Sequence, residues 1–597
     1  MLPLALAPLL VALASAAPLD PAPAHALAKR WNTCAGYNVD GCPFPSSGAH
    51  GAVATEVGTC SAIGVQALKD GGSAADAIIA ASLCIGVIAN WHSGIGGGGF
   101  LITRYSNKDG SHGYEQIDFR ETAPAGSNET MYSQYGVNQT KSTRGGLAVG
   151  VPGELRAWEA LHKRHGKLPW KRLFEPSIDI ARHGFPVNYD LATVLTPAYP
   201  FLTADPIFAE QFAPNGTLLK AGETVYRHRL ADALATIAKK GPDAFYHGRI
   251  AKNIVKAVQS QGGIITLKDL ADYKVHIKNT SSVEYRGKRI HSTTAPSSGT
   301  VVLSTLKIFE GFPDPGVADD SPAINLTTHY LVEADKLGYG QRATLGDPAF
   351  TPNVTALEAS YLTEPVIKAA RARIHANTTF PPSYYNPDNY FPSREGGTSH
   401  LTAVDKDGNA VSLTTTVNLI WGSGVITADG IILNNEMDDF SSPGQVNAFG
   451  FPANPINFIK PGKRPQSSIA SSLVEDESGN LVFATGSAGG SRIITATLQQ
   501  LHNYIDKGLN ATGSTYHPRW HDQLSGKTFF DYDDPGRPIP LKGFDNGTVA
   551  YFASIGYNIT YQSPSGSSTS HAISKLPNGQ WLAASDPRRP AGWGQAY

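Results

Sequence analysis

The stretch 73–105 constrains the fold of this chain more than any other. Residues 74–87 are rich in Ala and Ile, follow a capping serine, Ser73, and are apolar on nearly every face of a helix. A helix of that kind has to be buried. It is no bilayer span, because 74–89 is short and carries Asp76. Before it, 57–69 has a helical apolar period and stops at Gly71-Gly72. After it, Trp91-His92-Ser93-Gly94-Ile95-Gly96-Gly97-Gly98-Gly99-Phe100 runs straight into a strand pattern, 100–105. Gly94, Gly96 and Gly99 satisfy the G-x-G-x-x-G spacing. A dinucleotide fingerprint, however, needs a strand before its glycines and a helix after them. Here the order is reversed and no Gly-Lys-Ser/Thr occurs, so the glycines predict close backbone packing.

The mixed pattern continues. A second strand, 113–119, leads to Arg120-Glu121-Thr122-Ala123-Pro124, and amphipathic helices follow at 154–165 and 169–183. Residues 185–390 read as helices joined by long loops, with helical periods at 230–240, 249–259, 326–337 and 356–376. A ragged segment rich in Pro, Tyr and Asn, 380–392, favours an irregular, accessible loop. It ends in Arg394-Glu395-Gly396-Gly397-Thr398-Ser399-His400, where a hairpin pattern begins: 400–404 and 410–418 around an Asp-Gly turn. A strand at 430–433, a hairpin at 473–474 and 481–485, and a helix at 493–507 complete the expectation. There is no internal repeat.

Several places could carry chemistry. By pattern alone Thr398 is the start of a strand, set where an irregular loop meets it. Arg120, directly after a strand, can fork a carboxylate or form a surface ion pair. Glu436 and Asp439 are three apart, so one helical turn would set both carboxylates on one side. Such a pair serves as acid and base, holds a metal, receives an ammonium group, or is simply solvated. The turn Gly486-Ser487-Ala488-Gly489-Gly490-Ser491-Arg492 lies between a strand and a helix, and is either a plain tight turn or a source of free N–H groups for an oxyanion. No G-x-S-x-G elbow is present, which argues against an α/β-hydrolase serine. Lys+Arg and Asp+Glu number 49 and 50, leaving no basic excess for nucleic acid.

Motifs in this order, from about residue 51 to 597, resemble the γ-glutamyltransferases, also called γ-glutamyl transpeptidases or glutathione hydrolases, of the N-terminal-nucleophile hydrolases. The anchors are Ser93 to Phe100, Asp118-Phe119-Arg120-Glu121-Thr122-Ala123-Pro124, Thr398-Ser399-His400, Asn434-Asn435-Glu436-Met437-Asp438-Asp439-Phe440, Lys463-Arg464-Pro465-Gln466-Ser467-Ser468, Thr485 to Ser491, and Ala584-Ser585-Asp586-Pro587-Arg588. The resemblance implies an α+β fold, a four-layer αββα sandwich. It also implies a precursor that cuts itself between Gly397 and Thr398 into a large subunit, 31–397, and a small one, 398–597, which stay together as a heterodimer. Thr398 is then the nucleophile and its freed α-amine the base, with Thr416 hydrogen-bonded to the nucleophile and Gly489 and Gly490 holding the oxyanion. Arg120, Ser467 and Ser468 take the α-carboxylate of a γ-glutamyl donor such as glutathione, and Asn418, Glu436 and Asp439 take its α-ammonium. Water or an amino acid or dipeptide accepts the glutamyl group. No cofactor and no metal is implied.

Phe449 stands where some bacterial members carry a lid tyrosine; with Glu436 it follows the eukaryotic pattern. One rival reading is another amide acylase of the same fold, of cephalosporin or glutaryl type; a second is a member that tailors glutathione conjugates; a third is a non-catalytic binding protein. The N-terminus has the shape of a signal peptide, 1–17, although Pro3 and Pro8 interrupt it and no basic residue precedes its apolar run. A leader, 18–30, ends in Lys29-Arg30, which is a proprotein cleavage site or two charges in a flexible segment. Sequons begin at Asn128, Asn138, Asn215, Asn279, Asn325, Asn353, Asn377, Asn510, Asn546 and Asn558, the density of a glycosylated surface. Four cysteines fit an oxidising compartment, and local spacing favours Cys34–Cys42 and Cys60–Cys84; the latter also fits a disulfide of eukaryotic members. The expectation is a glycosylated extracellular or vacuolar protein with no stable membrane span.

Overall fold

In a computed structural model of the protein, the described residues are 46–136, 140–312, 323–386, 397–444 and 453–597. The leader, Cys34–Cys42, Asn138, Arg394 to Gly396 and Phe449 lie outside them. The apolar run forms the helix Ala74–Ile88, and fourteen of its residues are buried. Its one charge closes a capping box with Ser73, and Asp76 Oδ2 also accepts from the Lys167 and Leu168 N–H groups, at 2.8 and 3.2 Å. A buried carboxylate is tolerated here because backbone donors surround it. The preceding helix, Gly58–Lys69, is joined to it by the disulfide Cys60–Cys84, with Cα atoms 5.3 Å apart.

Two seven-stranded sheets make the middle of the molecule. Edge to edge, the first is Gln595–Ala596, Gly51–Thr55, Ser399–Asp405, Ala410–Thr416, Gly98–Ser106, His112–Asp118 and His276–Lys278. The second is Ser46–Gly48, Trp581–Ser585, Thr569–Lys575, Leu481–Ala488, Ser472–Glu475, Lys288–Ser292 and Ser281–Tyr285. Every neighbouring pair is antiparallel. Alternation of side chains along a strand then gives each sheet two faces to cover. On the first sheet Leu401, Ala403 and Leu413 face a core shared with the two opening helices and Glu154–His165, Trp170–His183 and His228–Lys240. On the second, Phe483, Ile290 and Val474 face a core with the helices Gly299–Phe309, Ile324–Arg342 and Ile493–Ile505. Between the sheets, Ala52, Val404, Ile102, Leu473, Ala484 and Ile573 form the third core. The result is a four-layer αββα sandwich, as expected.

The glycine run lies directly on Ala410–Thr416, the second strand of the hairpin that begins after Thr398. A Cβ at Gly97 would stand 2.0 Å from the Thr416 carbonyl, and one at Gly99 2.1 Å from that of Thr414. Close backbone approach is therefore what the run is for. Some expectations differ from the structure. The segment 356–376 is two short helices, Val354–Ser360 and Glu364–Arg371, interrupted at Tyr361 to Thr363. The stretch 430–433 contributes only an isolated bridge, Ile426 with Ile432. Three short strands between 276 and 292 lie at or next to the sheet edges, His276–Lys278 and Ser281–Tyr285 at the edges and Lys288–Ser292 one strand in, and their brevity and polar residues give no clear strand pattern. Eight sequon asparagines are exposed, at 128, 215, 279, 353, 377, 510, 546 and 558, and Asn325 is half-buried.

Candidate active site

The hairpin register brings the reactive end together. Ser399 pairs with Thr415, so Thr398 and Thr416 lie side by side where the two strands meet the gap between the sheets. The Thr416 hydroxyl donates to the Gly397 carbonyl at 2.7 Å. It accepts from the Asn418 N–H at 2.7 Å and from the Thr398 hydroxyl at 3.4 Å. One hydroxyl thus polarises the carbonyl of the Gly397–Thr398 peptide and orients the Thr398 oxygen beside it. A Cβ at Gly397 would stand 2.6 Å from His92 Cβ and 3.1 Å from Ile420 Cδ1, so glycine is required there by space as well as by access to its carbonyl.

Beyond Thr416 the chain turns through left-handed backbone, with φ of 74° at Asn418 and 66° at Trp421. Non-glycine residues hold that conformation only where their surroundings impose it. Trp421 is buried against Phe208 and Phe212, and its indole N–H donates to the Val194 carbonyl at 3.1 Å. Arg144 donates to the carbonyls of Gly422 and Ile420 at 2.8 and 3.3 Å. The Asn418 amide, in turn, donates to the Asn435 carbonyl at 3.1 Å, beside the acidic turn.

That turn, Glu436–Asp439, is a single 3-10 turn and sets both acids on one side. Their partner is Arg120, 1% exposed, whose guanidinium pairs with both carboxylates and also donates to the Pro465 and Gln466 carbonyls at 3.4 and 3.2 Å. Arg120 is positioned from both sides. Asp118, two residues earlier, pairs with Arg464 at 3.0 Å and Lys278 at 2.6 Å, so the Lys463–Ser468 segment is fastened to the strand that delivers Arg120. Against the cost of burial, these two cations hold Asp118 below the usual carboxylate range. Glu121 completes the cluster. Burial pushes its carboxyl up to about 8 against the pull of Arg120, and burial also pushes Glu436 well above the carboxylate range. Three acids thus crowd one guanidinium, and burial keeps at least one of them protonated near neutrality.

Arg120, Thr398, Thr416, Asn418, Glu436, Asp439, Ser467, Ser468 and Gly490 all line one cleft. Gly489 does not line it; it sits beside Gly490 at φ 118°, its Cβ position 3.0 Å from Ser568 Cα. Neither glycine gives its N–H to a backbone carbonyl among the described residues. The turn is supported from below. Ser568 donates to the Ala488 carbonyl, Arg519 donates to the Ser568 carbonyl, and Asp586 holds Arg519 at 2.5 Å and the Ser570 N–H at 2.8 Å. The late Ala584–Arg588 motif therefore acts beneath the glycine turn and does not reach the cleft.

Tyr339 and Arg342 also line the cleft, and sequence reasoning missed both. They lie in the last turn of Ile324–Arg342, beyond the point where apolar periodicity stops at Leu337. The available signal was charge: Glu333, Asp335, Lys336 and Arg342 in a helix that is buried on most faces. Among the described residues no group of His, Cys, Asp and Glu is arranged to hold a metal ion.

A family model described as Gamma-glutamyltranspeptidase matches residues 60–595. A glutathione hydrolase proenzyme of Arthroderma benhamiae is 43% identical over 556 residues, covering 91% of this chain and 92% of the relative. A glutathione hydrolase of Aspergillus flavus is 40% identical, covering 90% of this chain and 88% of the relative. Among solved structures, a cephalosporin acylase of Bacillus halodurans superposes with a TM-score of 0.79 at 25% identity, over 94% of this chain and 98% of its own. The chain belongs to the gamma-glutamyltranspeptidase family.

Proposed function

We propose that this protein is a glutathione hydrolase and γ-glutamyltransferase that matures by cutting itself between Gly397 and Thr398. The Thr416 hydroxyl on the Gly397 carbonyl, with Thr398 Oγ1 at 3.4 Å from the same hydroxyl, is the observation that carries the reading. Attack of Thr398 Oγ on the Gly397 carbonyl breaks the C–N bond and leaves an ester and a free Thr398 amine; water then hydrolyses the ester. That amine, with a pKa near 7.7–8.0 for an unperturbed α-amino group, is partly unprotonated at neutral pH and can take the hydroxyl proton. Thr398 Oγ next attacks the γ-carbonyl of the donor. The N–H groups of Gly489 and Gly490 hold the oxyanion, the amine departs, and water or an amino acid or dipeptide releases the glutamyl group. Arg120, Ser467 and Ser468 bind the α-carboxylate, and Asn418, Glu436 and Asp439 the α-ammonium. The two products remain a heterodimer, because strands on both sides of the junction interleave in both sheets.

A secretory, glycosylated protein, extracellular or vacuolar, fits the exposed sequons and the Cys60–Cys84 disulfide. No described helix is long and apolar enough to cross a membrane. The purified protein is expected to run as two bands, the smaller beginning Thr-Ser-His-Leu, and Thr398→Ala as one uncut, inactive chain. If that variant hydrolyses a γ-glutamyl anilide, the mechanism is wrong. The acylase superposition favours a second reading, amide hydrolysis of a donor without an α-amine. A glutaryl anilide turned over as fast as the γ-glutamyl one would establish it.

A further inference from the structure

The last turn of Ile324–Arg342 touches both ends of the cleft. Tyr339 donates its hydroxyl to the Ser491 carbonyl at 2.7 Å, in the turn that carries Gly489 and Gly490. Arg342, three residues on and so on the same helix face, donates to Ser468 Oγ at 3.2 Å and Ser298 Oγ at 3.3 Å. Ser298 then donates to the Ser467 carbonyl at 2.6 Å, and the Gln466 amide returns to the Arg342 carbonyl at 2.6 Å. Both side chains are nine-tenths or more buried, at 4% and 5% exposure. All of the partners but Ser298 belong to the segment after Thr398, whereas the helix precedes it.

We propose that Tyr339 and Arg342 are positioning residues that fix the separation between the oxyanion turn and the carboxylate-binding serines, so that one rigid helical turn gauges the length of the acyl chain the cleft accepts. This rests on the proposed function, in which a donor is gripped by its α-carboxylate at one end and attacked at its γ-carbonyl at the other. The two residues are about 4.5 Å apart along the helix axis. A helix turn does not stretch, so the two loops it holds cannot drift apart independently. Tyr339 serves the end where charge develops in the transition state, and Arg342 serves the end that only binds. Loss of each should therefore strike a different kinetic constant.

The test is steady-state hydrolysis of a γ-glutamyl anilide by the matured enzyme, with melting temperatures measured alongside. Tyr339→Phe should lower kcat by roughly tenfold with KM nearly unchanged, since it frees the Ser491 carbonyl without creating a cavity. Arg342→Gln should raise KM by roughly tenfold or more with kcat nearly unchanged, and Arg342→Lys should recover part of that loss. Should Arg342→Gln fail to fold, the lysine variant and Tyr339→Phe still carry the split. Both constants shifting together in step with a lowered melting temperature, or neither constant moving, would overturn the proposal. A wild-type enzyme that matures but ignores the γ-glutamyl anilide would instead overturn the proposed function.

Discussion

Replacing Thr416 by valine isolates the hydroxyl on which self-cleavage is proposed to depend. Valine keeps the β-branched shape that suits the strand Ala410–Thr416 and removes only the oxygen. Three hydrogen bonds go with it: the donation to the Gly397 carbonyl at 2.7 Å, and those accepted from Asn418 N–H and Thr398 Oγ1. The first matters most for rate, because the Gly397 oxygen gains negative charge as Thr398 attacks. A donor of that kind is worth about 3 kcal/mol, which slows the reaction roughly a hundredfold. The second sets stability: a buried N–H left unpaired at Asn418 costs about 1–3 kcal/mol. Freshly purified precursor, incubated and sampled on denaturing gels, gives the rate from the uncut fraction. Thr416→Ser keeps the hydroxyl and is expected to mature near the wild-type rate. If Thr416→Val matures as fast as wild type while Thr398→Ala stays uncut, the hydroxyl has no part in the step.

Arg120→Ala leaves the buried Glu436 and the partly buried Asp439 without their counter-ion, so it should cost about 3–5 kcal/mol of stability in addition to raising KM for γ-glutamyl donors. An unchanged melting temperature would show that the cluster does not carry those charges. Serine at both Cys60 and Cys84 opens a loop with a sequence separation of 24 and should lower unfolding free energy by about 3 kcal/mol in urea titrations under non-reducing conditions. Glu121, raised from 4.5 to about 8 when folded, binds a proton that the unfolded chain has already released, so its contribution is full below 4.5 and is lost as pH rises through about 8. Glu121→Gln should flatten the fall of stability across that window, where one such proton sets a slope of about 1.4 kcal/mol per pH unit; an unaltered pH–melting curve would exclude the assignment.

How much of this was legible in the sequence depended on whether the information was local. The helix Ala74–Ile88 and the hairpin Ser399–Asp405 with Ala410–Thr416 were readable because side-chain period and turn chemistry specify them within a dozen residues. The cleft residues were legible only through the resemblance: nothing local to Ser467 says that Arg120 lies beside it, more than three hundred positions earlier. What escaped was held by long-range contact. His276–Lys278 and Ser281–Tyr285 close the two sheets at their edges, with Lys288–Ser292 one strand in, and strands this short and polar carry too little apolar pattern to be read. Tyr339 and Arg342 acquire their importance from Ser491 and Ser468, and a helix read by apolar period alone ends before it reaches them.

The charges that line the cleft also bear on why one fold serves both γ-glutamyl enzymes and acylases. Arg120 pairs with both Glu436 and Asp439, so these acids already have a cation beside them and their presence alone does not demand an ammonium group. What selects the ligand is the exchange that binding requires. In the proposed binding mode a zwitterionic head group gives its carboxylate to Arg120 and its ammonium to Glu436 and Asp439, so the acids gain a second cation when Arg120 turns to the ligand. A head group with the carboxylate alone draws Arg120 away and strands the acids, which must then take up protons or remain unpaired at a cost of several kcal/mol. Glu121 and Glu436, with carboxyls already pushed upward by burial, soften that penalty at low pH and leave it in force as pH rises. In the proposed binding mode selectivity for the α-amine would rest with the acid turn Glu436–Asp439 and its neighbours, separable from the hairpin that carries Thr398 and Thr416. On that reading, exchange of this one turn is expected to change the class of donor while the four-layer scaffold stays as it is.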